Sequence, residues 1–278
     1  MFYLLKKRFS LMLLAVILSG IAKAETFTVG IVPQYEAIRS HQIWRPIWAY
    51  VEKETGYQFK IEGAPSISDF EIAYGRGDFD IAYMNPYLIT IANNKEGYQP
   101  IVRDVARKLY GILVVRADSN FNTPADLDGQ ILAFPAPNSL GASLQMRQEL
   151  HDIFHINIHP VYVKSHDSVY LNVTLKQAAA GGGVQKTLQS QKDNIKNSLK
   201  IIHQTTPVAP HPVAVHPRVP AEAKEAITQA LLKLASTDEG IELLKEVPIQ
   251  KLGRATQEDY QPLEKMDLQR FYQEPDQL

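Results

Sequence analysis

From Thr26 onward, short apolar, β-branched runs alternate with stretches whose apolar residues recur at helical spacing. Phe27 to Val32 reads as a strand. Ile43 to Thr55 reads as a helix with Ile43, Ile47 and Val51 on one face and Gly56 at the C-cap position. The alternation continues through Tyr57 to Ile61 (strand), Ile67 to Arg76 (helix), Phe79 to Tyr83 (strand) and Pro86 to Asn93 (helix). Such a series predicts a mostly parallel, helix-covered sheet.

After a strand at Tyr110 to Arg116, a Pro/Asp/Gly-rich connector from Asp118 to Gly129 interrupts the rhythm, and a second series starts at Ile131 to Phe134. It comprises a helix opening at Ser139 and ending near Ile153, a strand at His159 to Val163, a helix from Ser165 to about Lys176, the small-residue segment Ala178 to Gly183 and a strand near Leu199 to His203. Pro207 to Pro217 reads as a return crossing. Pro220 to Ala235 is a helix with proline at its start, and the segments after it are expected to pack on the first unit. The fold class is therefore α/β, with two lobes joined by two crossings: residues 25–114 plus 208–278 form lobe 1, and 115–207 form lobe 2. A cleft between lobes is the default ligand site.

The first 24 residues stand outside this pattern. Lys6, Lys7 and Arg8 precede an apolar run from Phe9 to Ile21 and the ending Ala22, Lys23, Ala24, which is the layout of a cleavable secretory signal. The run is shorter than the roughly 20 residues of a spanning helix, so export to the periplasm with cleavage before Glu25 is expected. Removal of four cations takes the formal net charge from −1 to −5. A mildly acidic chain without a Lys/Arg run argues against nucleic acid as a partner. The absence of cysteine excludes disulfides, thiolate metal sites and a cysteine nucleophile.

Candidate chemistry concentrates where strands pass into helices. Phe134 to Ser143 runs from a strand through a tight turn, Asn138, Ser139, Leu140, Gly141, Ala142, into a helix. A helix N-terminus carries unpaired N–H donors and roughly half a positive charge, so it can hold an oxyanion without Lys or Arg. The competing reading is that Asn138 or Ser139 only caps the helix. Equivalent junctions place Gln34 and Tyr35 after the first strand, and Tyr83, Asn85 and Tyr87 after the third.

These segments together resemble the phosphate/phosphonate/phosphite branch of ABC-transporter solute-binding proteins. The carriers are Val29-Gly30-Ile31-Val32-Pro33, Gly77-Asp78-Phe79-Asp80-Ile81-Ala82, Tyr110 to Val115, Thr123 to Gly129, Asn138-Ser139 and Ser165-His166-Asp167. The resemblance implies a two-lobed type II periplasmic binding protein fold that captures a small phosphorus oxyanion in its interlobe cleft for an ABC importer. It also implies ligand contacts at Ser139, Leu140 and Gly141, at His166, and around Tyr35, Tyr83 and Tyr110. Partners would be the oxyanion and a membrane permease, with the protein a monomer. The alternative is a ligand-sensing subunit for the periplasmic domain of a membrane sensor kinase.

The chain departs from that pattern where Leu140 and Gly141 replace hydroxyl residues, leaving more of the work to backbone N–H. Lys186 and His211 stand where binders of amine-bearing phosphonates carry acids, which disfavours aminoalkylphosphonates. Ala178 to Gly183 replaces a segment that usually includes an Asp, and it either lets backbone approach a ligand or forms a tightly packed strand.

Neither a cofactor nor a metal is expected. His151, His155 and His159 recur every four residues, but the helix bearing the first ends too early to align them. Ser165, His166 and Asp167 are sequence neighbours and cannot form a hydrolase relay. With no Gly-x-Ser-x-Gly or His-Glu-x-x-His motif present, the chain is not expected to be an enzyme. Arg45, Arg103 and Arg107 could reach a ligand, but solvated surface positions are expected for each.

Overall fold

The computed structural model describes residues 24–35, 37–247 and 249–274, with backbone only at 92 and 93. The predicted secretory signal at residues 1–24 lies outside the described residues except for Ala24. No helix among the described residues is long and apolar enough to cross a membrane.

The strands are β1 (Thr26–Ile31), β2 (Gln58–Gly63), β3 (Ile81–Tyr83), β4 (Gln99–Asp104), β5 (Gly111–Arg116), β6 (Ile131–Phe134), β7 (His159–Tyr162), β8 (Ala180–Val184), β9 (Leu199–Gln204), β10 (Pro212–Val215) and β11 (Leu252–Arg254). They form two sheets, ordered β11-β4-β10-β3-β1-β2 and β7-β6-β8-β5-β9. Each sheet is the centre of one lobe.

Both sheets are mixed, which corrects the expectation of a mostly parallel arrangement. β1 pairs in parallel with β2 and β3, but β10 runs antiparallel between β3 and β4. In lobe 2, β5 is antiparallel to β8 and β9, whereas β6 is parallel to β7 and β8. β10 and β5 each arrive from the other lobe and enter their sheet without a local helical crossover, and β11 adds a further antiparallel pair at the edge, on β4.

β10 overturns the reading of Pro207 to Pro217 as crossing alone. Pro212 occupies the first position of a strand, where its missing N–H is tolerated. The next residues, Val213 to Val215, are fully buried in the middle of the sheet.

The helices that matter for the site are α1 (Ala37–Thr55), α2 (Ile67–Gly75), α3 (Pro86–Glu96), α4 (Gln145–Asp152), α5 (His166–Thr174) and α6 (Gln185–Gln189). α1 begins six residues before the expected start, and its apolar face of Trp44, Ile47, Trp48 and Val51 docks on the lobe 1 sheet. In β5 the side chains alternate: Ile112 and Val114 pack with Val169 and Tyr170 on one face, Leu113 and Val115 with Phe134 and Met146 on the other. A strand buried on both faces reads as a continuous apolar run, which is why its position was legible.

The two crossings touch. Leu109 N–H donates to Val208 O at 2.9 Å and Val208 N–H returns to Leu109 O at 2.8 Å, a single antiparallel bridge between the segments linking the lobes. All of β5 belongs to the second sheet, so the first crossing runs near Leu109, several residues before the boundary at 114 read from the sequence.

Candidate functional site

The segment after β6 does not enter its helix directly. Ser139 accepts from both Ser143 N–H (2.8 Å) and Leu144 N–H (3.0 Å), and Gln145 N–H reaches Leu140 O, so residues Leu140–Leu144 form one π turn before α4. π turns are uncommon and tend to occur at functional sites. The consequence is a widened first turn. The N–H groups of Leu140, Gly141 and Ala142 have no acceptor among the described residues.

The turn is seated by glycines beneath it. A Cβ on Gly111 would lie 1.8 Å from Gly141 O, and one on Gly182 would lie 1.8 Å from Ala142 O. The small-residue segment Ala178 to Gly183 is thus a packed strand whose backbone approaches the turn. Leu140 and Leu144 point the other way and pack into the lobe 1 core.

Two adjoining cavities lie between the lobes. The inner one, about 30 Å3, is lined by Ser139, Leu140, Gly141, Ala142, Asn85 and Ile67. The outer one, about 260 Å3, is lined by Tyr35, Tyr83, Tyr110, Lys186, Arg107 and Lys108 among others. Gln34, Leu109, His166, Val184 and His211 border both.

His166 is the first residue of α5, whose start is fixed by Ser165 accepting Ser168 N–H at 3.1 Å. Its Nδ1 is buried without a partner, and burial pulls its pKa down to about 4. His211 stacks on Tyr83 (5.4 Å between centroids, 24°) and its Nε2 lies 3.1 Å from Gln34 Nε2. It faces the cavity yet is shielded from bulk water, which drives its pKa to about 3, with His166 nearby adding to the shift. At neutral pH the site presents two uncharged imidazoles beside three unpaired backbone donors. The three backbone N–H groups can donate hydrogen bonds to an anion, and no Lys or Arg lines the inner cavity.

Twelve of the fourteen residues singled out from the sequence line these cavities, and two do not. Asn138 is buried behind the turn: its Nδ2 donates to Glu71 Oε2 (2.8 Å) and Gln273 O (2.7 Å), while its Oδ1 accepts from Gln273 N–H (3.0 Å). Tyr87 lies on α3, directed away from the cleft, with its hydroxyl donating to Gln269 Oε1 at 3.1 Å and its ring against Tyr272. Asn85 does line the inner cavity, but its amide is already engaged: Oδ1 accepts from Tyr87 N–H and Nδ2 donates across the cleft to Asn138 O at 2.7 Å.

Sequence reading placed Arg107 on the surface, and the structure puts it, half-exposed, on the outer cavity wall with Lys108. Both precede β5 in the first crossing, a position that no motif marks. Arg45 and Arg103 are instead paired with Glu52 and Asp259, each at 2.7 Å.

Comparison with known proteins adds a family. A family model described as an ABC transporter, phosphonate, periplasmic substrate-binding protein matches residues 29–260. A binding protein component of an ABC phosphonate transporter from Pseudomonas aeruginosa superposes with a TM-score of 0.79 at 17% identity, covering 90% of this chain and 88% of that one. PhnD1 from Prochlorococcus marinus, solved with methylphosphonate, gives 0.79 at 13% identity, covering 88% and 98%. A Xanthomonas citri protein bound to ATP gives 0.73 at 17% identity, covering 89% and 98%. At such identities these structures show a common fold. No curated protein matches the chain in sequence.

Proposed function

The chain belongs to the family of periplasmic substrate-binding proteins of phosphonate ABC transporters, and from that premise we propose that it holds a phosphorus oxyanion head in the inner cavity, against the Ser139 to Ala142 turn. The family role is substrate capture for a membrane permease, so no catalytic step is assigned to the cleft. The reading extends to a monomer, exported by residues 1–24 and freed of them by cleavage.

The observation that carries this assignment is the set of three N–H groups, on Leu140, Gly141 and Ala142, lacking acceptors at the floor of an interlobe cavity. Buried donors without partners cost free energy, and an oxyanion relieves that cost while gaining charge-assisted hydrogen bonds. His166, whose Nδ1 is buried without a partner, offers a neutral ring donor, and His211 accepts from the Gln34 amide at the cavity edge. Because the turn belongs to lobe 2 and Gln34 and His211 to lobe 1 and its crossing, a ligand touching all three favours the lobes held together.

The test is a ligand-free preparation titrated with methylphosphonate, phosphite, phosphate, sulfate and 2-aminoethylphosphonate, followed by the thermal midpoint. Ligand at ~100 times Kd adds about 2.7 kcal/mol of stability. A shift with a phosphorus oxyanion and none with sulfate supports the assignment; no shift with any of the five removes it.

A further inference from the structure

The outer cavity is too large for a ligand that is all head group. The inner cavity is about 30 Å3 and the outer about 260 Å3, and the two share Gln34, Leu109, His166, Val184 and His211 in their walls. Its charged lining is Arg107, Lys108, Lys186 and Asp104. Asp104 is fully occupied: its carboxylate accepts N–H groups from Ala106 (2.9 Å), Gln250 (2.7 Å) and Lys251 (3.2 Å) and meets Arg107 Nε at 3.4 Å. Among the described residues, Lys108 and Lys186 pair with no carboxylate. The remaining polar lining, which includes Gln34, Gln185, Thr187, Gln189 and Tyr110, carries no acid or further cation. Gln185 Oε1 is itself buried without a partner.

We propose that this outer chamber recognises a second anionic group, so that the preferred ligand is a phosphoryl head linked through a short chain to a carboxylate or second phosphoryl group. The proposal rests on the oxyanion reading of the inner cavity. Lys186 enters from α6 of lobe 2 and Lys108 from the crossing beside lobe 1, so an anion between them is gripped from both sides of the cleft. Lys186 is partly buried, so its attraction for an anion is screened less than that of the exposed Lys108. Without that anion, Lys108 and Lys186 share the chamber with no carboxylate in ion-pair contact with either, since Asp104 is taken by Arg107 and backbone N–H groups. An amine tail would meet like charge there.

Calorimetric titration of the ligand-free protein with methylphosphonate, 2-aminoethylphosphonate, 3-phosphonopropionate and phosphoglycolate tests this. 3-Phosphonopropionate is expected to bind about tenfold tighter than methylphosphonate, as one charged hydrogen bond provides, and 2-aminoethylphosphonate more weakly than either. In a Lys108→Gln/Lys186→Gln variant, with folding verified by its thermal midpoint, the ratio between the first pair should shrink towards one. Phosphoglycolate reads the source of the head: if it outbinds 3-phosphonopropionate, the ligand is a phosphate ester with the same second anion. Equal affinity for methylphosphonate and 3-phosphonopropionate, or a ratio unmoved in the variant, overturns the second-anion proposal and leaves the oxyanion reading intact. Binding of none of the four overturns both.

Discussion

The side chain of Asn138 pairs with the backbone of Gln273 in both directions, Nδ2 donating to the carbonyl at 2.7 Å and Oδ1 accepting the amide N–H at 3.0 Å. The pair fastens the C-terminal segment, which arrives from lobe 1, onto the base of the lobe 2 turn. Arg270 reaches Asp152 at 2.6 Å, and Arg147 donates to Phe271 O at 2.8 Å in the same stretch. Asn138→Ala removes three hydrogen bonds at once, one buried and two part-buried, and is expected to cost about 2 kcal/mol. Thermal unfolding should show the loss, and limited proteolysis should cut between residues 268 and 274 faster than in the parent. A variant with unchanged stability but lost oxyanion binding would instead place Asn138 among the ligand contacts.

Glu71, which accepts from the same Asn138, gives the fold a pH dependence of definite sign. Burial lifts its pKa from 4.5 to about 8, only partly offset by the hydrogen bond from Asn138. The folded protein therefore keeps this proton through a range in which the unfolded chain has released it. Stability from this group is full below about 4.5 and is lost as pH rises towards 8, by at most about 1.4 kcal/mol per pH unit. Urea unfolding at pH 5, 6, 7 and 8 should show Glu71→Gln flattening this slope and becoming the more stable form at pH 8. Parallel curves for the two proteins would mean that Glu71 does not titrate in that window.

Much of this architecture was legible because it depends on local rules. β5 shows an unbroken apolar run, Ser165 caps α5, and each strand-to-helix junction announces itself by a change of period from two to 3.6. β10 was not legible, because three apolar residues among prolines resemble a loop until their neighbours in the sheet are known. Nor does any residue pattern mark the π turn; it follows from the close fit of Gly111 and Gly182 beneath it. Tyr87 was misplaced for a simple geometric reason. It follows Asn85 by two, which keeps one face in a strand but turns through about 200° in a helix. Lys108 carries no signal in the sequence, and Arg107 reads as a surface residue, because the crossing, with its bridge at Leu109 and Val208, brings both to the cavity from a stretch without periodicity.

Gly111→Ala tests the seating of the turn. Gly111 has no positive φ, so alanine is acceptable to the backbone there. The conflict is with Gly141 O, which a Cβ would approach to 1.8 Å. The turn must move, and overpacking of this kind costs about 2 kcal/mol. Displacing the three N–H groups should also weaken oxyanion binding by about tenfold or more. A thermal midpoint together with methylphosphonate titration separates the effects, since intact binding in a destabilised protein would mean that the turn does not hold the ligand.

The sharpest test of the backbone donors is a comparison of Leu140→Pro with Leu140→Ala. Proline removes the N–H of residue 140 and fixes a φ suited to the first position of a helix. Ser139 before it, at φ −61° and ψ 106°, already has the extended backbone that a following proline requires. The Leu140 N–H has no acceptor in the protein, so its removal breaks no internal hydrogen bond. Both substitutions lose the leucine side chain from the lobe 1 core, at about 2 to 5 kcal/mol, and that shared loss cancels in the comparison. What remains is one donor. A hydrogen bond to a charged group contributes about 1.5 to 3 kcal/mol, so Leu140→Pro should bind the oxyanion roughly ten- to a hundredfold more weakly than Leu140→Ala. Equal affinity would show that the ligand does not contact this N–H, and would move its head group away from the π turn.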